Sequence, residues 1–211
     1  SSVWLHLGIL GPKKISMDKD GKKPLSPLQF IENPYSLLDI TDLVFIDPVS
    51  TGFSRTVNGE DPKQFHGFEK DIQSVAEFIR LYTTRNERWE SPKFLAGESY
   101  GTIRASGLAQ ELHDKHHFNL NGLILISAVL NFQTINFSSG NDLPYILFLP
   151  TYTATALYHH KLDAELQKNP EQTIAEAEKF AINEYASALM YGDKIDESKR
   201  NQIIEKVSRY T

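Results

Sequence analysis

Residues 94–105 have the sequence FLAGESYGTIRA, which is an apolar run, a Gly-Glu-Ser-Tyr-Gly crossing and a segment of helix-forming residues. A short apolar run followed by a glycine-containing turn and a helix is typical of α/β proteins. This pattern predicts that Ser99 lies on a sharp turn with its hydroxyl exposed. A serine in that position is a candidate nucleophile, because the turn presents its oxygen and the following helix presents backbone amides.

The sequence around this stretch alternates between predicted strands and helices. Two further apolar runs, residues 42–48 (DLVFIDP) and 121–130 (NGLILISAVL), are typical of strands buried on both faces. A helix is expected from Asp61, where Asp-Pro forms a start signal, and another from Ser99 to His116. The apolar face of the first helix has spacings of three and four: Phe65, Phe68, Ile72, Val75, Ile79 and Tyr82. The alternation predicts an α/β fold with a parallel sheet and helices on both faces.

The pattern changes near residue 150, after which three helical segments follow without a strand. In the middle segment, the expected apolar positions are Ile174, Ala177, Ala181, Ala188 and Leu189, and Gly192 is the expected helix stop. We therefore predict an α/β core at residues 1–150 and a helical segment at 151–211. The last predicted helix reaches Tyr210 without a polar tail, and we expect this helical segment to be truncated.

Composition excludes several classes of function. The formal net charge is −5 and the pI is about 5.8, which argues against a nucleic-acid or anionic-membrane partner. The chain has no cysteine, so thiol nucleophiles and metal-thiolate sites are excluded. We also expect no metal and no cofactor: HDKHH (residues 113–117) departs from the zinc motif H-E-x-x-H, and no phosphate or dinucleotide loop is present.

The turn at Ser99 matches the pattern Gly-x-Ser-x-Gly, with Gly97 and Gly101 in the two small positions. The backbone amide of Tyr100 would face a developing oxyanion and stabilise it. The alternative is a glycine-containing strand-helix turn in another α/β fold, in which Ser99 only caps the helix.

Three blocks resemble, in order and spacing, the serine carboxypeptidase family of α/β-hydrolase exopeptidases. They are SSVWLHLGILGP (1–12), ENPYSLLDITDLVFIDPVSTGFS (32–54) and FLAGESYGTIRA (94–105). The resemblance covers residues 1 to about 160. It implies a partial α/β-hydrolase core at 1–150 and the start of a helical cap insertion at 151–211. It also implies that the protein removes C-terminal residues from peptides or proteins.

The resemblance assigns roles to three residues. Ser99 would be the nucleophile, the Tyr100 amide an oxyanion donor, and Glu98 a residue that helps to recognise the terminal carboxylate of the substrate. Because a carboxylic acid donates a hydrogen bond to a carboxylate only while it is protonated, we expect activity to favour acidic pH. The alternative for Glu98 is a solvated residue near a helix N-terminus, where negative charge is favourable.

The chain also departs from the family pattern. Ser50 replaces a glycine of the loop that ends in Phe53-Ser54, and Arg55 follows where tyrosine is common. Together with the absence of cysteine, these differences suggest a bacterial-type member. The secretory habit of the family predicts the periplasm or export.

The general base for Ser99 is not evident in the sequence. The order in α/β-hydrolases is Ser, then Asp or Glu, then His. His113, His116 and His117 follow on the helix that Ser99 begins, and His113 would lie about 20 Å along its axis. We expect His159 and His160 to be exposed polar residues of the cap. The resemblance places the triad Asp and His beyond Thr211, so we expect an incomplete active site that is inactive alone and needs the remainder of the polypeptide.

Two other functions remain open. One is an esterase or acyltransferase on the same scaffold, because acyl-enzyme chemistry serves these reactions too. The other is a non-catalytic binding protein that has retained the turn.

Overall fold

The computed structural model describes residues 2–21 and 23–211. Ser1, which the resemblance includes in its first block, and Lys22 lie outside the described residues. The chain divides into two compact units, Ser1–Leu130 and Asn131–Thr211.

The first unit begins with a short helix and a two-stranded antiparallel sheet. Helix α1 (Ser2–Trp4) continues into a π-helical segment (Leu5–Leu10), and strand β1 (Lys13–Ile15) pairs with β2 (Phe30–Glu32). The buried Asn33 donates from its side-chain amide to the carbonyls of Ile9 and Gly11, at 2.9 and 2.8 Å. These hydrogen bonds tie the N-terminal segment to the segment after β2.

Residues 42–48 are not a strand, and our expectation for this segment is wrong. An apolar run becomes a strand only when a neighbouring strand accepts and donates its backbone hydrogen bonds. The described residues place no such neighbour beside this segment. Ile46 instead contributes a half-buried side chain to the core of the first unit.

The expected helix after Asp61 is interrupted. The Asp61 side chain caps the backbone amide of Lys63 at 2.9 Å, as expected, but the turn it starts is a short 3₁₀ helix (Pro62–Phe65). The long helix α2 (Phe68–Arg85) begins after Gly67. Within the predicted apolar face of this helix, Ile72 and Val75 are buried in the core. Phe68, the first residue of α2, is 48% exposed.

A parallel β-α-β unit forms the centre of the first unit. Strand β3 (Phe94–Glu98) leads through Ser99 into helix α3 (Tyr100–His116), and β4 (Gly122–Ile126) pairs with β3 in parallel. The core between α2, α3 and β3 contains these buried side chains: Ile72, Val75, Ala76, Leu108, Leu112 and Phe118. The unit thus confirms an α/β architecture.

The prediction of helices on both faces of the sheet differs from the structure. Helix α3 packs against both strands, and α2 packs against α3. Phe94 and Ile124, at alternate positions on paired strands, are 59% and 42% exposed. The difference arises because one β-α-β crossover supplies a helix to one face only.

The second unit is helical. Its long helix α4 (Leu143–Tyr158) is followed by α5 (Ala164–Gln167), α6 (Pro170–Phe180), a π-helical segment (Ala181–Tyr185), α7 (Ala186–Tyr191) and α8 (Glu197–Tyr210). Ala177, Ala181 and Ala188 are buried, as the pattern predicts, and they surround Phe180, which the pattern does not single out. Gly192 ends α7 with a φ of 52°.

The change in architecture comes earlier than residue 150. Residue 150 lies inside α4, and the compact units separate after Leu130. The helix starts earlier because Leu143-Pro144 places a proline in its first turn, a signal masked by the apolar residues that follow. Within residues 2–21 and 23–211, no helix has the length and apolar character required to cross a membrane.

Candidate active site

Ser99 is the single residue between β3 and α3. Its backbone has φ 55° and ψ −122°, and its N–H donates to the carbonyl of Ile126 at 3.0 Å, which extends the β3–β4 ladder by one residue. A positive φ is strained for any residue with a side chain. The side chain of Ser99 is exposed. The strand, turn and helix predicted from residues 94–105 are therefore present, with the serine at the strained position.

Close backbone crossing explains one of the two glycines. A β-carbon on Gly97 would lie 2.0 Å from the carbonyl oxygen of Gly101 and 2.9 Å from the amide nitrogen of Thr102. Only glycine fits there without moving the helix. At Gly101 itself, a β-carbon would meet no atom within 4 Å. The steric requirement for a small residue therefore holds before Ser99 and not after it.

The side chain of Thr102 hydrogen-bonds to the backbone of the turn at Ser99. It is completely buried, and its hydroxyl donates to the carbonyl of Ser99 at 2.7 Å. The same hydroxyl accepts from the backbone N–H of Val129 at 2.9 Å. Thr102 therefore joins the peptide of the serine to the segment that follows β4.

A buried ion pair lies behind Tyr100. The Asp71 carboxylate, on α2, accepts from Arg104 Nε at 2.8 Å and from the Tyr100 hydroxyl at 3.3 Å. The Arg104 guanidinium lies 5.0 Å from the centre of the Tyr100 ring. Burial raises the pKa of the Tyr100 phenol, and the Asp71 carboxylate raises it further. The phenol therefore stays protonated at neutral pH and donates to Asp71.

Glu98 and the Tyr100 amide lie on either side of the serine. Glu98 is the last residue of β3, pairs in register with Ile126, and is half-buried. The Tyr100 N–H is the first amide of α3, where the helix dipole adds positive potential. The structure thus brings the three predicted residues together at one strand-helix junction.

Three histidines of the first unit contact residues other than Ser99. His113 Nδ1 lies 3.0 Å from Asn119 Oδ1 at the far end of α3, and His66 Nε2 lies 3.2 Å from Ser50 Oγ. His6 stacks on Phe45 with ring centres 4.3 Å apart. Among the described residues, none of these histidines hydrogen-bonds to the Ser99 hydroxyl, and no group of three or more His, Asp or Glu is placed to hold a metal ion.

The loop at residues 48–55 shows why Ser50 is unusual there. Ser50 has a φ of 69°, a conformation that favours the glycine expected at this position. Arg55 Nη1 donates to the carbonyls of Gly52 and Ser54, at 2.9 and 2.8 Å. The arginine therefore holds the loop through its backbone.

Sequence reasoning missed Thr102, Asp71 and Arg104. Asp71 carries the clearest signal, because a charged residue three positions after Phe68 falls within the apolar stripe of α2. Arg104 lies four residues after Tyr100, which places both on one face of α3. Thr102 carries no comparable signal, since buried threonines are common in helices.

The sequence matches known proteins over most of its length. The family described as serine carboxypeptidase matches residues 9–208. A curated relative, serine-type carboxypeptidase F of Aspergillus niger, is 26% identical over 183 residues. That alignment covers 81% of this chain and 32% of the relative, so the chain spans about a third of the relative's length. The extent of the family match shows that this chain belongs to the serine carboxypeptidase family.

Proposed function

We propose that this chain carries the nucleophile of a serine-type carboxypeptidase, and that Ser99 is that nucleophile. The observation that carries the proposal is the strained, exposed position of Ser99 between β3 and α3. Ser99 Oγ attacks the last peptide carbonyl of the substrate, and the peptide C–N bond breaks. The C-terminal amino acid leaves with a proton on its nitrogen, and water then hydrolyses the acyl-enzyme to regenerate the serine.

The Tyr100 amide donates a hydrogen bond to the oxyanion that forms during attack. Its place as the first amide of α3 supports this role, because the amide and the helix dipole act on the same negative charge. The burial of Thr102 beneath the turn supports it as well, since a fixed donor costs no reorganisation during the reaction.

Glu98 recognises the free carboxylate of a peptide or protein C-terminus. Its half-buried position directly before Ser99 supports this role. The substrates we propose are therefore peptides and proteins with free C-termini.

The triad Asp and His lie outside residues 1–211 in this proposal. The contacts of His6, His66 and His113 support it, because each of these rings has a neighbour other than Ser99. The coverage of 32% of the curated relative supports it too. The remainder of the polypeptide would then complete the site, and residues 1–211 alone would not turn over.

The arrangement of the chain follows from the same proposal. The α/β part of the chain, predicted at residues 1–150 and ending in the structure at Leu130, would supply part of the α/β-hydrolase core. The helices that follow, predicted at 151–211, would supply the start of a helical cap insertion. The parallel β3–β4 pair and the helical second unit support this division. That the protein is a bacterial-type member stays a prediction.

A pair of peptides tests the substrate class. The complete gene product is incubated with an N-blocked dipeptide and with the same dipeptide amidated at its C-terminus. We expect cleavage of the free acid and loss of cleavage on amidation. Equal cleavage of both would show that the free carboxylate is not recognised and would contradict the proposed substrate class and the role of Glu98. The variant Ser99→Ala serves as the control and should cleave neither.

A further inference from the structure

One ion pair in the first unit differs from the others in its burial. The side chains of Asp71 and Arg104 are 8% and 20% exposed, whereas every other ion pair among the described residues has both partners at least 35% exposed. Glu77 and Arg80, on the same helix α2 as Asp71, are an example of the exposed kind.

Stability alone does not account for the buried pair. Removing two charges from water is costly, and replacing a buried ion pair by apolar residues is often neutral or stabilising. A buried pair does, however, hold its elements in one relative position, because breaking it would leave an unpaired charge. Asp71 belongs to α2 and Arg104 to α3, so this pair sets where α3 lies against α2.

Asp71 and Arg104 both contact the side chain of Tyr100. Asp71 accepts from its hydroxyl at 3.3 Å, and the Arg104 guanidinium lies against its ring at 5.0 Å from the centre. The backbone amide and the side chain of Tyr100 are attached to the same Cα. By holding the ring, the two charged groups therefore restrict the position of this Cα, which is one end of the peptide unit that carries the N–H. The carbonyl of the same peptide unit, that of Ser99, is held by the Thr102 hydroxyl.

We propose that Asp71 and Arg104 are positioning residues for the Tyr100 amide, acting through its side chain to aim the N–H at the oxyanion. This inference rests on the proposed function of Ser99 and Tyr100. It predicts a defect in the transition state with little effect on the affinity for substrate, because neither Asp71 nor Arg104 is proposed to touch the substrate.

The test uses the complete gene product and p-nitrophenyl acetate, a small ester that reports acyl transfer whatever the natural leaving group. Four variants are compared with the wild type: Asp71→Asn, Arg104→Lys, Arg104→Met and Tyr100→Phe. For Asp71→Asn and Tyr100→Phe we expect kcat to fall about tenfold, a part of the 10²–10³ effect of losing an oxyanion donor, with KM within about twofold. Arg104→Lys keeps the charge and should retain more activity than Arg104→Met.

The matched control is Glu77→Gln, which removes the exposed pair with Arg80 from the same helix. Its kcat should equal that of the wild type. A fluorophosphonate adduct on wild-type Ser99 is checked first, since its absence removes the proposed function and this inference with it.

Tyr100→Phe removes the hydrogen bond to Asp71, and Arg104→Met removes the charge that lies against the ring. If the wild type forms the adduct and either variant keeps the wild-type kcat, the positioning role of that residue is overturned while the proposed function stands. Tyr100→Phe tests the role of Asp71 even if Asp71→Asn does not fold, because it leaves the ion pair intact.

Discussion

Thr102 donates its side-chain hydroxyl to the backbone carbonyl of Ser99 at 2.7 Å. A threonine that is completely buried, and that also accepts from the Val129 N–H, connects the candidate nucleophile to the segment after β4. The strained backbone of Ser99 is therefore held by a hydrogen bond from a buried side chain three residues later in the chain.

The variant Thr102→Val should weaken both the fold and the reactivity of Ser99. Valine has a similar shape and lacks the hydroxyl, so the Val129 N–H loses its partner at a cost of about 1–3 kcal/mol. We expect a lower urea midpoint and slower fluorophosphonate labelling of the complete gene product.

The matched control for this prediction is Thr153→Val. Thr153 is also completely buried and donates to the Leu149 carbonyl within α4, at 3.0 Å. It should lower the urea midpoint without changing the rate of labelling. Equal labelling rates for the two variants would show that the hydroxyl of Thr102 has no part in the reactivity of Ser99.

Gly97→Ala should be far more harmful than Gly101→Ala. A β-carbon at Gly97 would lie 2.0 Å from the Gly101 carbonyl oxygen, and relieving that overlap requires the strand and the helix to separate. Overpacking of this kind costs about 1–3 kcal/mol or more. At Gly101 the space is open, and alanine is favoured over glycine in a helix by about 0.5–1 kcal/mol.

Urea unfolding of the two alanine variants measures this difference directly. Gly97→Ala should unfold at a lower urea concentration than the wild type, and Gly101→Ala at the same or a higher one. The reverse order would mean that the backbone crossing at Gly97 is not as close as the structure describes.

The raised pKa of the Tyr100 phenol predicts how the stability of the protein depends on pH. Burial raises the pKa of this phenol in the folded protein, so the folded state holds the proton more tightly than the unfolded chain. The stabilisation is therefore complete below the unfolded pKa of about 10 and is lost as pH rises through the folded value.

The measurement compares the urea midpoints of the wild type and Tyr100→Phe. Their difference should be constant from pH 6 to pH 9 and should shrink only above about pH 10, where the unfolded phenol titrates. A difference that shrinks between pH 6 and pH 8 would contradict the assignment to this phenol.

Phe180 should dominate the stability of the second unit. It is 5% exposed. The centre of its ring lies 5.9 Å from the ring centre of Tyr210 and 6.1 Å from that of Tyr185. Phe180→Ala should cost about 3–5 kcal/mol of unfolding free energy. Met190→Ala, at a side chain that is 84% exposed, should change it by less than about 0.5 kcal/mol and is the control. Similar losses for both would contradict the described core.

The sequence predicts the centre of the first unit well because the signals there are local. The run FLAGE, the turn at Ser99 and the helix to His116 each follow from neighbouring residues, and all three are present. Residues 42–48 have an equally apolar pattern and form no strand, since strand formation depends on a partner that is distant in sequence.

In the candidate site, too, contacts between neighbours in sequence are predictable and contacts between distant residues are not. Ser99, Glu98 and Tyr100 are adjacent in sequence, so a motif finds them together. Asp71 is 29 positions from Tyr100 and reaches it only through the packing of α2 on α3. No motif contains such a pair, and only the charged residue within an apolar helix face hints at it.

The most direct test of the central claim is labelling of the complete gene product with a fluorophosphonate, followed by peptide mass spectrometry. We expect a single adduct on Ser99, absent from Ser99→Ala and formed more slowly in Thr102→Val. A folded, complete protein that forms no adduct on Ser99 would contradict the claim, and the turn would then have a structural or binding role only.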